Sequence, residues 1–496
     1  MTAPIFIGID TGTQGTKVIA FNRATGRVDA SAYAGYPVTE DANGGREQAP
    51  QLWIDAIRSC FREVFATINP ASVRAIGVSG QQHGCVALDA AGNVLRPAKL
   101  WCDTSTLAEC AEILERAGGK GRVLATTGSD LAVGFTASKV LHLKKNHPEL
   151  WSRLATLFLP HDYINFWLTG NRCMEAGDAS GTGYFDIHKR AWSDALVNAI
   201  DDSGKLRAAL PEVIASDAPA GKIRPELARE FGLSADVLVS SGGGDNMMAA
   251  IGTGNVRPGV VTCSLGTSGT LFAYSDTPVS DPNAELAGFC SSSGGWLPLI
   301  CTMNVTVVTE QTRQLLGLDI KTFDANVAAA QPGAGGMRFL PYLNGERTPA
   351  LPRARGTLAG VATTNFTPQN VCRAAMEGAT LGLRYGLEIF RRQNLVPREI
   401  RLVGGGAKSG IWRQICADVF GCPVVCPVNK EAGAMGAALQ AVWCAERAQI
   451  GDITDAFIQL DEATRTEPNA VAVKVYDEVY ANYLSLNNAM ANVVVK

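Results

Sequence analysis

A short motif rich in glycine and threonine occurs twice in this chain, about half its length apart. Residues 10–17 read Asp-Thr-Gly-Thr-Gln-Gly-Thr-Lys, and residues 264–270 read Ser-Leu-Gly-Thr-Ser-Gly-Thr. Each copy stands between two apolar, β-rich runs, which predicts a strand, a tight turn and a second strand. Glycines in such a turn let backbone N–H groups and threonine hydroxyls approach a phosphate oxygen. The repeat therefore predicts two related domains that grip one polyphosphate, and only the first copy has an aspartate, Asp10, to handle a metal.

A chain of 496 residues is too long to fold around one hydrophobic core, and the repeat favours two large domains. We place them at residues 1–240 and 241–496, with the tail beyond about residue 445 able to pack on either. The chain has 44 Lys plus Arg against 47 Asp plus Glu and no basic cluster, so no nucleic-acid partner is expected. It has no run of 18 apolar residues and no signal-peptide pattern at Met1–Pro4, so we expect a cytoplasmic protein without a membrane partner.

The cysteines and histidines of the chain indicate which kinds of metal site are expected. The thirteen cysteines are scattered and mostly set in apolar company, as reduced core thiols are. The sequence contains no C-x-x-C and no H-E-x-x-H pattern, which argues against a zinc site. Any metal is therefore expected to have oxygen ligands.

Hydrophobic periodicity places polar loops at the ends of predicted strands. The predicted strands of this kind span residues 73–78, 237–240 and 400–403, and the predicted helices span residues 50–68, 368–393, 411–420 and 432–445. The strands run into Ser-Gly-Gln-Gln-His-Gly at 79–84, Gly-Gly-Gly-Asp-Asn at 242–246 and a glycine-rich loop at 404–410. The helix at 432–445 is rich in Gly and Ala, so it is expected to pack closely on its neighbours. The pattern indicates a mixed α/β protein.

The loop at 404–410 admits a second interpretation. Its pattern, Gly404-x-Gly406-x-x-x-Gly410 between a strand and a helix, resembles a dinucleotide fingerprint whose helix N-terminus would bind a pyrophosphate. The loop lies late in the chain, however, and the apolar segment 424–426, some 20 residues on, lacks the acidic residue that would bind a ribose. A Walker-type site is excluded because no G-x-x-x-x-G-K-[ST] occurs. A nicotinamide enzyme remains the less favoured alternative.

Two aspartates and one histidine are candidate functional residues, each with a structural alternative. Asp10 ends an apolar strand, where a carboxylate has no packing value and suits a metal-bound water, although an Asx turn also fits. Asp245 opens a predicted helix after a glycine run. From the residues alone, a catalytic base and a helix N-cap are equally good interpretations of it. His83 stands near apolar residues, as core histidines do, but its loop at a strand end favours hydrogen bonds to a polyol.

Taken together, these motifs resemble those of the FGGY carbohydrate kinases, within the superfamily of actin, Hsp70 and hexokinase ATPases. The resemblance runs from Ile5 to about Trp443 and covers both phosphate hairpins, the loop 404–410, Phe135–Lys139, Gly356–Val361 and Ala374–Glu377. Within the family, the segments most similar to the xylulokinase group are residues 82–84, 101–106, 243–246 and 340–349. Two positions depart from that pattern: no arginine closely follows Asp103, and a tryptophan of the nucleotide pocket is replaced near Gln311.

The resemblance implies a fold and an activity. The fold would be two ribonuclease-H-like α/β domains of the actin and hexokinase ATPase type, with a central cleft. The activity would be the phosphorylation of D-xylulose to D-xylulose 5-phosphate with ATP and Mg²⁺, with ribulose or another polyol as the alternative acceptor. A non-enzymatic, chaperone-like ATPase is a distant alternative, because no β-rich partner-binding domain follows residue 445. The implied partner is a small sugar, and a homodimer is left open.

The resemblance also implies a set of site residues. Asp245 would be the base that takes the proton of the sugar hydroxyl, and Asp10 would organise Mg²⁺ through water. Sugar contacts are implied for Gln82, His83, Asp103 and Asn246, whose donors and acceptors suit a ligand rich in hydroxyls. ATP contacts are implied for Thr13, Lys17, Gly266, Thr267, Gly405, Gly406, Ala407 and Gly410.

Overall fold

The computed structural model describes residues 3–490 and 493 of the chain. Met1, Thr2 and the remaining C-terminal residues of the predicted 241–496 domain lie outside the described residues. Up to Gly252 the strands are β1 Ile5–Thr11, β2 Gly15–Asn22, β3 Arg27–Gly35, β4 Thr39–Glu40, β5 Arg46–Gln48, β6 Val73–Gly80, β7 Val86–Leu88, β8 Ala98–Lys99, β9 Thr156–Phe158, β10 Cys173–Glu175, β11 Phe185–Asp186, β12 Ala191–Trp192, β13 Glu212–Ile214, β14 Pro219–Lys222, β15 Leu238–Ser240 and β16 Gly243–Gly244. The α-helices of the same part are α1 Pro50–Thr67, α2 Leu107–Arg116, α3 Lys120–Thr127, α4 Thr136–Asn146, α5 Pro148–Arg153, α6 Pro160–Thr169, α7 Ala176–Ala179, α8 Asp194–Ile200, α9 Lys205–Ala209, α10 Pro225–Phe231 and α11 Asp245–Gly252.

The first half of the chain is built on one mixed sheet. Its strand order is β14-β15-β6-β1-β2-β3, and β16 also pairs with β6. β1, β2 and β3 form an antiparallel meander, whereas β6 runs parallel to β1. The apolar stripe of α1, including Trp53, Ile57 and Phe61, is buried, as its helical spacing predicts. The predicted hairpin, meander and helix are therefore confirmed.

The second half repeats this plan. Its strands are β17 Val260–Leu265, β18 Gly269–Ala273, β19 Ala287–Cys290, β20 Trp296–Thr302, β21 Arg338–Leu340, β22 Thr357–Ala359, β23 Glu399–Val403, β24 Val424–Pro427 and β25 Leu460–Thr466. Its α-helices are α12 Thr306–Leu315, α13 Ile320–Ala329, α14 Pro368–Arg392, α15 Gly410–Phe420, α16 Ala432–Glu446, α17 Ile450–Phe457 and α18 Ala470–Met490. The sheet order is β19-β20-β18-β17-β23-β24-β25.

The two sheets share a local topology. In each, the first strand of a glycine-rich hairpin pairs in parallel with a later strand, as β1 does with β6 and β17 with β23. This arrangement confirms the predicted fold of two mixed α/β domains. The domain limits at 240 and 241 stay a prediction.

Helix α16 lies across the first sheet although, in sequence, it stands between β24 and β25 of the second sheet. A Cβ on Gly8 of β1 would collide with the carbonyl of Ala434, and one on Gly436 would collide with the carbonyl of Met248 in α11. Glycine and alanine therefore permit this approach of backbones, which confirms the predicted close packing of the small-residue helix. The N-termini of α11 and α16 consequently lie close to the carboxyl end of β1.

All thirteen cysteines are free, as expected for reduced core thiols. Of the helices in the described part of the chain, none combines the length and apolar character that a membrane span requires. After α16, the chain adds α17 beside that helix and then returns to the second sheet through β25 and α18.

Candidate active site

The first wall of the site is formed by the ends of neighbouring parallel strands. Asp10 of β1 pairs with Ser79 of β6, and Ser79 pairs with Gly243 of β16. The residues after these strands therefore emerge together, at the edge where open α/β sheets bind their ligands. Asp10, the loop with Gln82 and His83, and the start of α11 at Asp245 converge there.

The second wall is likewise formed by the ends of two neighbouring parallel strands, β17 and β23. Ser264 of β17 pairs with Val403 of β23, so the second hairpin lies beside the loop 404–410. Gly404 has a φ of 90° and a Cβ there would clash with Leu265, which explains the glycine. The predicted ATP contacts differ in exposure: Thr267, Gly405 and Gly410 are exposed, Gly266 is half-buried, and Gly406 and Ala407 are buried.

Asp10 is half-buried and accepts a hydrogen bond from Ser79 Oγ at 2.6 Å through Oδ1. Burial raises the pKa of its carboxyl to about 6, the Ser79 hydrogen bond opposes this, and Glu431 adds to it. Oδ2 has no hydrogen-bond donor within the described residues. A Cβ at Gly433, in the first turn of α16, would come within 2.6 Å of Oδ2. The close approach of α16 to this carboxylate therefore depends on a glycine.

Asp245 is the first residue of α11, and Gly244 occupies the N-cap position. Its Oδ1 accepts hydrogen bonds from Asn246 N at 2.8 Å and Asn246 Nδ2 at 3.0 Å. Burial raises the pKa of the Asp245 carboxyl to about 7, and the charge of Asp10 raises it further. Because Gly244 occupies the N-cap position, the interpretation of Asp245 as the N-cap is wrong. A carboxylate with a pKa near neutrality is suited to general base catalysis.

His83 has a left-handed backbone with a φ of 64°, which is uncommon outside glycine and often marks a functional loop. Its Nδ1 lies 2.7 Å from the carbonyl oxygen of Gly181, so Nδ1 carries the hydrogen and Nε2 is left as an acceptor. Burial lowers the pKa of His83 to about 3, and the Lys139 ammonium adds to this. A neutral ring, flanked by Phe135 and Phe289, can therefore accept a hydrogen bond from a sugar hydroxyl.

Lys139 supports this unusual backbone. Its ammonium donates to the carbonyls of His83 at 3.0 Å, of Phe135 at 3.3 Å and of Gly134. Burial lowers its pKa to about 7. Lys139 belongs to a segment that resembles the family, but no local pattern predicts this role, because only the tertiary structure brings α4 against the His83 loop.

Gln82 and Asn246 connect the sugar loop to the candidate base. Asn246 Nδ2 donates to Gln82 Oε1 at 3.0 Å and to Asp245 Oδ1 at 3.0 Å. Gln82 Nε2 is buried without a hydrogen bond of good geometry in the described part of the chain, and the Asp178 carboxylate lies next to the amide. The orientation of this amide is thus set by the Asn246 amide on one side and the Asp178 carboxylate on the other.

Asp103 is fully buried with both carboxylate oxygens engaged. Oδ2 accepts from Arg46 N at 2.9 Å and Lys99 Nζ at 3.0 Å, while Oδ1 accepts from Ser105 N at 3.0 Å and Ser105 Oγ at 2.6 Å. Burial raises its pKa, but these hydrogen bonds outweigh it and hold the pKa below its usual range. The predicted sugar contact of Asp103 stays a prediction, since it requires one of these bonds to be exchanged.

Two side chains of the first hairpin have different surroundings. Thr13 Oγ1 donates to Gln81 Oε1 at 3.2 Å and accepts from Trp101 Nε1 at 2.9 Å. Lys17 of β2 lies opposite Asp10 of β1 in the strand register, and its ammonium lies 3.7 Å from the Glu431 carboxylate. Both side chains border the turn predicted to hold phosphate.

A buried cluster that the sequence did not reveal lies behind Gln82. His161 Nδ1 is 2.6 Å from Asp178 Oδ2, and its Nε2 is 2.8 Å from Asp162 Oδ1. Burial alone would lower the pKa of His161, but the two carboxylates reverse this and raise it well above its usual value. We interpret the cluster as an imidazolium between two carboxylates, not as a metal site, because both ring nitrogens are at hydrogen-bond distance from oxygen. No local spacing signals this contact, since Asp178 is 17 residues from His161.

The fold and the cleft define a two-domain kinase of the actin and hexokinase ATPase type. Residues 5–252 match the FGGY family of carbohydrate kinases, N-terminal domain, and residues 261–445 match its C-terminal domain. The xylulose kinase of Haemophilus influenzae is 44% identical over 97% of this chain and 99% of that protein. The chain therefore belongs to the FGGY family of carbohydrate kinases.

Solved structures agree with this assignment. The xyloylose kinase of Brucella ovis has a TM-score of 0.92 and 30% identity, and the match covers 98% of this chain and 99% of that one. The gluconate kinase of Lactobacillus acidophilus has a TM-score of 0.93 and 25% identity, with 99% of both chains covered. The chain is an enzyme that transfers phosphate to an alcohol group, and no finding favours the dinucleotide or chaperone-like alternatives.

Proposed function

We propose that this enzyme phosphorylates D-xylulose with ATP to give D-xylulose 5-phosphate and ADP. The observation that carries the proposal is the position of Asp245, a carboxylate with a raised pKa between the His83 loop and the phosphate hairpins. Near full-length similarity to a xylulose kinase favours xylulose as the acceptor. The other acceptors considered above, ribulose and further polyols, have no observation in their favour.

In the proposed reaction, Asp245 takes the proton from the sugar's C5 hydroxyl. The oxygen of that hydroxyl bonds to the γ-phosphorus of ATP as the bond from this phosphorus to the β,γ-bridging oxygen breaks. His83 Nε2, Gln82 and Asn246 hold the other hydroxyls. The phosphates are held by Thr13, Lys17, Gly266 and Thr267. Gly405, Gly406, Ala407 and Gly410 form the adenosine side of the cleft.

Mg²⁺ is proposed as the metal, held through water by Asp10. The residues fit this ion, because Oδ2 of Asp10 has no donor within the described residues and the side chain is only half-buried. Carboxylate oxygens and retained waters are what Mg²⁺ prefers in sites that also bind phosphates. The ion would supply neutralisation of phosphate charge.

An ADP-release assay over D-xylulose, D-ribulose, gluconate, glycerol and xylitol tests the substrate. We expect the highest kcat/KM with D-xylulose. Gluconate is included because a structurally similar kinase acts on it. A kcat/KM for ribulose, gluconate or glycerol that exceeds that for xylulose would overturn the substrate assignment but not the kinase assignment.

The pH dependence of the reaction follows from the base. Asp245 must be deprotonated to accept a proton, so kcat/KM for xylulose should fall as pH drops below about 7, the value to which burial raises its pKa. A profile recorded at saturating Mg²⁺ tests this. An activity that stays constant far below that pH would contradict the assignment of Asp245 as the base.

Replacement of His83 by alanine should weaken sugar binding selectively. Loss of one neutral hydrogen bond predicts a rise in KM for xylulose of about 3- to 10-fold, with the KM for ATP nearly unchanged. His188→Ala, at an exposed position, is the matched control. Equal effects on the two KM values would instead assign the loop a structural role.

We also propose a cytoplasmic location, because the thirteen free cysteines suit a reducing compartment. A homodimer stays a prediction.

A further inference from the structure

The segment 340–349 resembles the xylulokinase group, yet the proposed function leaves its arginine, Arg347, without a role. The residue before it, Glu346, is buried and accepts hydrogen bonds from Met303 N at 2.6 Å, Asn304 Nδ2 at 3.0 Å and Arg347 N at 2.8 Å. Three donors on one carboxylate hold this turn firmly in place. The backbone of Arg347 is thus anchored while its side chain is exposed.

The anchoring segment also holds the second phosphate hairpin. Val305 N donates to the carbonyl of Thr267 at 3.0 Å, and Thr306 N donates to that of Gly266 at 2.9 Å. Thr302, at the end of β20, pairs with Gly269. Arg347 is therefore tied through Glu346 and residues 303–304 to the loop predicted to bind ATP phosphates.

The charge of Arg347 acts on residues of both walls. Burial raises the pKa of the Cys301 thiol, and the adjacent Arg347 guanidinium opposes that rise. Cys301 pairs with Thr270 of the second hairpin. On the opposite wall, burial lowers the pKa of His83, and the charges of Lys139 and Arg347 lower it further. The charge of Arg347 thus reaches both His83 of the sugar loop and Cys301 beside the phosphate hairpin.

The guanidinium forms no ion pair with a carboxylate in the part of the chain that the structure describes. Two buried or half-buried arginines of the same half are, by contrast, paired: Arg373 with Glu377 at 2.6 Å and Arg384 with Asp477 at 2.6 Å. A planar cation with five donors and no protein anion is suited to bind phosphate oxygens.

We propose that Arg347 binds the phosphoryl group while it passes from ATP to the acceptor, an inference that rests on the proposed function. It donates hydrogen bonds to the non-bridging oxygens of that group, where charge must be neutralised in the loose transition state. It transfers no proton; the proton of the acceptor hydroxyl goes to Asp245. Because Arg347 comes from the second wall, this contact forms when both walls face the same phosphoryl group.

Arg347→Gln and Arg347→Lys test this role, with Arg355→Gln as the control. Arg355 is also exposed, but its guanidinium donates to the carbonyls of residues 353 and 354. We expect kcat with xylulose to fall about 10²- to 10³-fold in Arg347→Gln, with the KM for xylulose nearly unchanged. Arg347→Lys should recover part of the loss, because lysine keeps the positive charge but lacks the planar arrangement of donors in a guanidinium. A kcat within a few-fold of wild type in Arg347→Gln, or an equal loss in Arg355→Gln, would overturn the proposal.

Slow ATP hydrolysis without any sugar separates this inference from the substrate assignment. Water then accepts the same phosphoryl group, so Arg347→Gln should lower this rate as well, while ADP affinity measured by calorimetry and the melting temperature stay near wild type. An unchanged hydrolysis rate would overturn the role of Arg347 whichever sugar is the substrate. Failure of xylulose as substrate would leave this result intact and refute only the substrate assignment.

Discussion

Replacement of Asp245 by asparagine is expected to lower kcat for xylulose by about 10²- to 10⁴-fold with little change in stability. Asparagine keeps the oxygen that accepts hydrogen bonds from Asn246 but cannot take a proton. The cap of α11 is unaffected because Gly244 occupies that position. Steady-state kinetics and thermal melting measure the two quantities.

The control for this change is Asp202→Asn, which alters a carboxylate at an exposed position and should leave kcat unchanged. The substitution at Asp245 should also remove the fall of activity that begins near pH 7, because that fall reports the carboxyl of Asp245. The fall at lower pH that is due to Asp10, whose pKa is about 6, should remain. A kcat within a few-fold of wild type would reduce Asp245 to a structural residue and would leave the proposed mechanism without a base.

Replacement of Asp10 by alanine should lower kcat by about 10²-fold or more at every Mg²⁺ concentration, since a metal site is worth several kcal/mol of transition-state stabilisation. Excess Mg²⁺ should not restore the rate, because the substitution removes the carboxylate that would organise the ion. A Mg²⁺ titration at saturating ATP and xylulose measures this effect.

Two variants serve as controls for Asp10. Ser79→Ala removes the hydrogen bond at 2.6 Å to Oδ1 and leaves the carboxylate, so its loss should be much smaller. Thr267→Ala changes the hairpin without an acid and should chiefly raise the KM for ATP. Full recovery of the Asp10→Ala rate at high Mg²⁺, or an equal Mg²⁺ dependence in Thr267→Ala, would exclude the metal role.

Local patterns in the sequence were sufficient for the elements that surround the site. The helix predicted at 411–420 is observed as Gly410–Phe420, and Gly421 ends it in the left-handed conformation, as a C′ glycine should. The two hairpins are observed at the predicted residues. These elements depend on turn chemistry and periodicity, which are properties of neighbouring residues.

The site required long-range contacts that no local pattern encodes. The cluster of His161 and Asp178 behind Gln82, the support of the His83 carbonyl by Lys139, and the place of Arg347 beside Cys301 each join separate elements. Their residue types are common and their spacing is irregular. The raised pKa of Asp10 likewise results from burial and the charge of Glu431, and that of Asp245 from burial and the charge of Asp10.

By itself, the sequence determined the two hairpins, the strands and helices that surround the site and the positions of Asp10 and Asp245, because alternation and glycine turns are written in consecutive residues. Its resemblance to a known family implied the two-domain kinase fold. Only the tertiary structure decided that Gly244 caps α11, that the Asp103 carboxylate is engaged by the protein, and that α16 crosses the first sheet to lie beside Asp10. These features depend on which surfaces meet when two distant halves of the chain pack, and burial then sets the charge state of the groups between them.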